Sequence, residues 1–570
     1  MKTLKFGPAA LLSLVFALCC AGQTVRAQDD DELYGEHLLP AKTLLMFSVP
    51  DAPALKQHGD SSMFGKLLAD PEMQPFLQEV HEKIGELSGE ISEKLGLTID
   101  DLAKLPAGEI TFAITSPKPG KLAGVFLFDY GENGEQVAKL IEAATAAAKE
   151  NGCEHSTQEV AGVEVNLYKL PDNEHGNPIK HIAYFSHESY LGVATDVAAL
   201  QQVLDLFEGN KKDSLATSES FSLISGKVAE GESDPVVVWY VDPIGLLQAG
   251  VSLAQAQAPQ AGMMMGFLPI LGVDKVKAFG GAGYMGIEEF DGVSKSFILV
   301  EQPTTGLVNV FQFPAVPQSP PKWVSADSVM YTGVNWDVAG AYTAIETLVD
   351  SFQGPGALER IIEEMADSEG GPQVNIKKDV VDQLSGQIHI SSTVPKDAEA
   401  ADQDFVVALG LTSEDKVKKL LAKASKTDGF DGEVRQFEGA TIYEMPLPNV
   451  EKKLIVTVAN GSLFIGTLPA DIENVVRTRS GVASLVDSEV YKKLAKHIPE
   501  QVSILGYQKQ DAQLRTAYDQ LKSMDPEDLG GLDVSKLPEF EVLQKYLRAS
   551  ASYFVPDEDG ALQVSFTLGE

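Results

Sequence analysis

AGVEVNLYKLP (residues 161–171) and EGATIYEMPLP (residues 438–448) stand about 277 residues apart in a chain of 570. Each sets a glycine, Gly162 or Gly439, before a short run in which apolar and polar residues tend to alternate, and each closes on a proline, Pro171 or Pro448. Alternation of that kind reads as a strand with one buried face. The two phrases read as matching strand pairs, and the sequence around them is matched as well.

Working outward, LLPAKTLLMFSVPDAPAL (38–55) parallels WVSADSVMYTGVNWDVAGA (323–341). Both are a polar step, an apolar strand and an Asp or Asn at a turn. Helical stretches follow at 65–96 and 339–368, with apolar residues at three- and four-residue steps. IDDLAKLPAGEITFAITSP (99–117) parallels KKDVVDQLSGQIHISSTVP (377–395), pairing Gly108 with Gly386 and Ile110 with Ile388. A glycine there can end a helix in the left-handed conformation. Asn133 and Ser413 fit as N-caps of a further helix in each half. Asn460-Gly461 is a two-residue hairpin signal, with His187-Glu188 in the equivalent turn. Gly192 aligns with Gly466 and Tyr284 with Tyr553. The expected class is α+β: two homologous tandem repeats, each a largely antiparallel sheet with several packed amphipathic helices. The boundaries expected are 1–27 signal peptide, 28–305 first repeat, 306–322 Pro-rich connector and 323–570 second repeat.

The first 27 residues set Lys2 and Lys5 before the apolar run PAALLSLVFALCCAG and end on VRA, which reads as an export signal cut after Ala27. A lipidated Cys19 or Cys20 is the weaker alternative, because neither follows a fitting small residue. Cleavage leaves Cys153 as the sole cysteine, so no intrachain disulfide is expected. The formal charge of −37 becomes −40 once Lys2, Lys5 and Arg26 are removed. A chain so acidic disfavours nucleic acid and anionic membranes, and suits a cationic or envelope-protein partner. No later stretch is long and apolar enough for a transmembrane segment.

Candidate chemistry is thin. GAGYMG (281–286) fits a dinucleotide fingerprint, but a strand follows it where a helix is required. His175, His181 and His187 recur at six-residue steps, yet Pro178 and a turn at His187 interrupt any strand that would align them. The acids of DNEHGN, DGFDGE and DEDG match no calcium loop. No catalytic residue, metal site or cofactor is expected. The one unusual segment is residues 250–273, almost uncharged and carrying three consecutive methionines. Met263, Met264, Met265, Phe267, Leu268 and Ile270 are its candidate apolar contact surface, set against simple packing inside the first half.

LLPAKTLLMFSVPD, DPEMQPFLQEV and LPAGEITFAI together resemble a family of exported bacterial envelope or periplasmic proteins of unknown function. The resemblance implies an exported, periplasmic or extracellular protein and supplies no catalytic residues. The expected function is non-enzymatic binding or scaffolding. The alternatives are an enzyme whose site lies between the repeats without a recognisable motif, and a carrier of apolar ligands.

Overall fold

The structure is a computed structural model. It describes residues 34–569 except 96–98, 172–178, 208, 210, 232, 256–260, 368–373, 395–403, 428–429, 448–451, 478–482 and 527–528. The export signal, its cleavage site, Cys19, Cys20, His175, Pro178 and Pro448 lie outside the described residues.

Among the described residues, strands of both halves pair into one antiparallel sheet of twenty strands. The first half supplies β1 (Thr43–Val49), β2 (Ile110–Lys118), β3 (Lys121–Asp129), β4 (Glu154–Val160), β5 (Val163–Lys169), β6 (His181–His187), β7 (Tyr190–Ala194), β8 (Val237–Val241), β9 (Val276–Ile287) and β10 (Phe290–Val300). The second supplies β12 (Met330–Asn335), β13 (Leu384–Thr393), β14 (Asp404–Leu411), β15 (Glu433–Phe437), β16 (Ala440–Pro446), β17 (Lys453–Ala459), β18 (Ser462–Gly466), β20 (Ile504–Lys509), β21 (Ala549–Asp557) and β22 (Gly560–Leu568). A separate two-stranded piece joins β11 (Val316–Pro317) to β19 (Gln501–Val502).

From one edge to the middle the order is β4, β5, β6, β7, β3, β2, β1, β8, β9, β10. From the other edge it is β15, β16, β17, β18, β14, β13, β12, β20, β21, β22. The two runs meet where β10 pairs with β22. The register there is self-complementary. Lys295 faces Val564 at its centre, Val293 faces Phe566 on one side and Phe297 faces Leu562 on the other. The outer edges are polar: six of the seven β4 residues are exposed, among them Glu154 and Glu159. Charge on a free edge discourages pairing with another chain.

The repeated phrases of the sequence are hairpin turns with their return strands. Ala161 (φ 48°) and Gly162 (φ 77°) join β4 to β5, and Glu438 (φ 46°) and Gly439 (φ 85°) join β15 to β16. Positive φ at both central positions is the two-residue turn that matches strand twist. Asn460-Gly461 makes the same turn between β17 and β18. The equivalent turn between β6 and β7 is Glu188-Ser189, one residue later than the sequence suggested, with Glu188 at φ 50°.

One sheet face carries a continuous core that crosses the midline. Met46, Tyr240, Phe297, Tyr331, Tyr507 and Phe566 belong to it. Helices Val197–Phe207, Glu219–Val228 and Glu489–Ala495 cover it with Leu200, Leu204, Ile224 and Leu494. On the opposite face of the first half, Val49, Ile110, Phe128 and Leu191 pack under Ala52 and Val137 of helices Ala52–Ser61 and Gly134–Glu150.

Several local expectations are corrected. Asn133 and Ser413 occupy N-cap positions without capping through their side chains. The Asn133 amide instead donates to the carbonyls of Lys104 and Leu105, both at 3.0 Å, tying its helix to the preceding turn. Ile110 and Ile388 do hold corresponding places, facing Val49 and Phe128 in one half and Val334 and Leu409 in the other. Gly192 and Gly466 do not. Gly192 shares a ladder with Leu127 and Thr111, whereas Gly466 shares one with Val406 and Ser391, two residues out of step. Tyr284 and Tyr553 are displaced by two residues in the same way, since Tyr240 faces Gly280 and Tyr507 faces Ala551. A two-residue slip keeps every side chain on its face, so the hydrophobic pattern tolerates it.

Ile110 is buried, while Ile388 is only half-buried. Ile110→Ala is therefore expected to cost about 2–5 kcal/mol, and Ile388→Ala clearly less. Urea unfolding of the two variants measures the difference. Equal losses would mean that the face around Ile388 is as closed as its counterpart.

Candidate functional site

Three places deserve consideration, and each is built by a different segment. The first is the uncharged segment after β8. It folds as helices Pro243–Gln255, Ala261–Met265 and Leu268–Leu271, ended by Gly272 in the left-handed conformation. It leaves several large apolar residues exposed. Met263 is 67% exposed, Phe267 48% and Ile270 46%. Leu253 is exposed as well, Met265 and Leu268 are half-buried, and the Met264 side chain lies outside the described residues. Residues of the connector and the second half extend the surface. The Phe267 ring lies 6.3 Å from that of Phe352, on helix Val338–Gln353. Phe352 is 51% exposed, and Ile345, seven residues earlier on that helix, is exposed too. Phe311, at the end of the 3-10 turn Gly306–Phe311, is 66% exposed. Sequence reading found the first-half residues from their missing charge. It missed Phe311, Ile345 and Phe352, because an apolar stripe on a helix gives no sign of whether it ends up covered.

The second place lies along the connector. A cleft of about 550 Å³ is lined by Pro314, Asn335, Trp336, Asp337, Asp382 and Ser385 among others. A smaller hollow of about 220 Å³ continues past Asn335 to Gln318, Gln387 and His389. The Trp336 indole is fixed by donating to the Val310 carbonyl at 2.7 Å. His389 Nδ1 lies 2.9 Å from the Tyr331 hydroxyl. Burial drives the His389 pKa down to about 4, so the ring is neutral at ordinary pH. The Gln318 amide donates to the carbonyls of Val502 (3.0 Å) and Ser503 (2.8 Å), which leaves its Oε1 buried without a partner. A Cβ at position 333 would stand 2.8 Å from that oxygen and 2.6 Å from the Tyr331 hydroxyl, so Gly333 is needed there.

The third place is the corresponding position of the first half. Glu109 is 3% exposed and accepts from Ser48 Oγ at 2.7 Å and Thr111 Oγ1 at 2.5 Å. Its Oε2 is buried without a partner. Gly35, opening the short helix Gly35–Leu38, sits against this carboxyl; a Cβ there would lie 2.7 Å from Oε1. Burial, and then the Glu36 charge, push the Glu109 pKa up to about 7, outweighing the hydrogen bonds from Thr111, Ser48 and the Gly35 backbone. Burial raises Glu36 too.

The remaining sequence candidates are not brought together. GAGYMG lies inside β9, paired with β10 along most of its length and with β8 at Gly281–Gly283, so a strand and not a helix carries it onward. His181 and His187 bound one unbroken strand, so the turn comes after His187 and not through it. His187 packs edge-on against Phe207 at 5.8 Å. Cys153 follows helix Gly134–Glu150, and burial pushes its thiol up, away from reactivity. Among the described residues no group of three or more metal-capable side chains converges, and no helix is long and apolar enough to cross a membrane.

Compared with protein-family models, with curated proteins and with solved structures, the chain finds no match. The family resemblance of the opening motifs therefore rests on those motifs alone.

Glu109 yields a pH prediction. The fold holds the neutral acid better than the charged one. Stability from this group is full below its ordinary pKa of 4.5 and is lost as pH rises through about 7. A shift of that size corresponds to roughly 3 kcal/mol. Glu109→Gln is expected to flatten the fall in stability between pH 5 and pH 8 seen in the parent. Urea midpoints at the two pH values measure it; parallel pH dependence in both proteins would show that Glu109 does not titrate in this range.

Proposed function

We propose that the protein is an exported, non-enzymatic binding or scaffolding protein of the cell envelope, built by duplication of a ten-stranded α+β unit. The apolar shelf of Met263, Phe267, Ile270, Phe311 and Phe352 is the observation that carries the binding role. Large apolar side chains gathered on a surface cost solubility and usually mark a contact with another molecule. The same strand order in both halves and the self-complementary register of β10 with β22 support the duplication. The basic start and apolar run of residues 1–27 support export, and the single remaining Cys153 suits a chain stabilised by its core. The acidic charge argues against nucleic acid as partner and for a basic one.

The alternative of an enzyme is favoured by one observation, the neutral His389 beside Tyr331 at the connector hollow. That site belongs to the second half and its connector. It offers a proton donor and acceptor, and the hydrogen-bond partner of His389 there is the buried Tyr331.

Capture from envelope extract tests the binding role. A partner held by the shelf is expected to stay bound from ~50 to ~500 mM salt, since apolar contact is not screened. It is expected to be lost on changing Met263 and Phe267 to Ser. A partner that is released by salt and indifferent to those changes would place binding on the acidic surface instead.

A further inference from the structure

The paired strands set three residues of one half against three of the other. Ile110 lies opposite Val49 and Ile388 opposite Val334, so Ser48 answers to Gly333, Glu109 to Gln387 and Thr111 to His389. In the first half this place is filled. Ser48 and Thr111 donate to Glu109, and helix Gly35–Leu38 closes directly on the group: a Cβ at position 35 would stand 2.5 Å from Thr111 Oγ1. In the second half Gly333 has no side chain to put where Ser48 has one, and the connector at Val316, Pro317 and Gln318 borders the place. What remains is the hollow of about 220 Å³ beside Gln318, Gln387 and His389. Asn335 lines both that hollow and the cleft of about 550 Å³. Small-molecule ligands occupy clefts of about 300–1,000 Å³.

The chemistry of the lining changes from one end to the other. Trp336, Asp337, Asp382 and Ser385 stand at the wide end, with Asp382 and Ser385 exposed. Asp337 uses one carboxylate oxygen to accept from the Gly340 N–H at 2.9 Å. Trp336 uses its indole N–H on the Val310 carbonyl, so what it offers a ligand is its ring. Asn335 donates its amide to the Pro314 carbonyl at 3.0 Å, so what it offers is an acceptor. At the narrow end Gln318 Oε1 is a buried acceptor without a partner. Among the described residues no Lys or Arg lines either hollow, so a bound anion would find no counter-charge. A cation would find carboxylates at the wide end only. The narrow end holds two neutral amides and an imidazole that is neutral at ordinary pH, which would leave an ammonium group there unpaired. Uncharged hydroxyl groups, donors and acceptors at once, match the whole length. A sugar ring that carries them also has an apolar C–H face for an indole to cover.

We propose that the connector cleft is a binding site for a neutral saccharide, with one ring at Trp336 and Asp382 and the next directing a hydroxyl to Gln318 Oε1. The shelf has no part in it, so this site and the apolar surface around Met263 stand or fall separately.

The probes are maltose, cellobiose and N,N′-diacetylchitobiose, each titrated to ~10 mM into the full mature chain and read by calorimetry and saturation-transfer NMR. At least one is expected to give saturable heat and transfer to its ring protons. Asp382→Ala and Gln387→Leu change exposed side chains, and unchanged melting curves confirm their fold. Each is expected to weaken binding about fivefold or more. Phe267→Ser with Phe352→Ser is expected to leave it unchanged. Absence of saturable binding by all three sugars overturns the proposal, as does binding of equal strength in the parent and in both cleft variants. Displacement of a bound sugar by spermidine also overturns it, because the cleft is then a cation site.

Discussion

Nine residue pairs between β10 and β22 hold this molecule together, and the rest of its architecture follows from them. Each ten-strand run would otherwise end on a long strand with unpaired N–H and C=O groups beside an apolar face. Pairing the two ends removes both edges in one contact. It also brings Phe290 within 4.9 Å of Phe566 and lets one core run across the midline. The register centres on Lys295 facing Val564, and polar contacts cross the midline on either side of it. Lys227 reaches Asp557 at 2.7 Å, and His497 reaches Glu289 at 2.7 Å, across that line.

Against that shared framework the differences between the halves stand out. The polar cluster beside the entering chain is a buried carboxylate in the first half, with Glu109, Ser48 and Thr111. In the second half it is Tyr331, His389 and Gln318 at the end of an open cleft. Ile110 is sealed under helices where Ile388 is not. The helices after β20 bury Tyr518 and Phe540, whereas those after β8 leave Met263, Phe267 and Ile270 exposed. A framework with the same strand order in both halves leaves function to such differences, and the exposed Met263, Phe267 and Ile270 are one of them.

Much of the fold was legible because it depends on short-range chemistry. Gly162 and Gly439 adopt the positive φ that a two-residue turn demands, and the alternation after them sets which face is buried. The paired Ile110 and Ile388 were placed correctly because strand, glycine and preceding helix recur together in each half. Gly192 and Gly466 misled because the face repeats every two residues, so a two-residue slip leaves no trace in the hydrophobic pattern. The caps misled for a similar reason. Asn133 has the right side chain in the right place, but a stronger use for it came from carbonyls 28 and 29 residues away.

By itself the sequence determined an α+β chain with turn, strand and helix in matched order, an excess of negative charge, and one segment stripped of charge around Met263. These follow from periodicity, backbone limits on φ and simple composition. Only the tertiary structure decided that the two runs fuse into one sheet, because strand pairing across 270 residues leaves no local mark. It alone decided that Phe267 meets Phe352 and that both remain exposed. An apolar stripe states that a helix wants a cover. Which helices are covered depends on packing partners far away in sequence, and those are set only when the whole chain has folded.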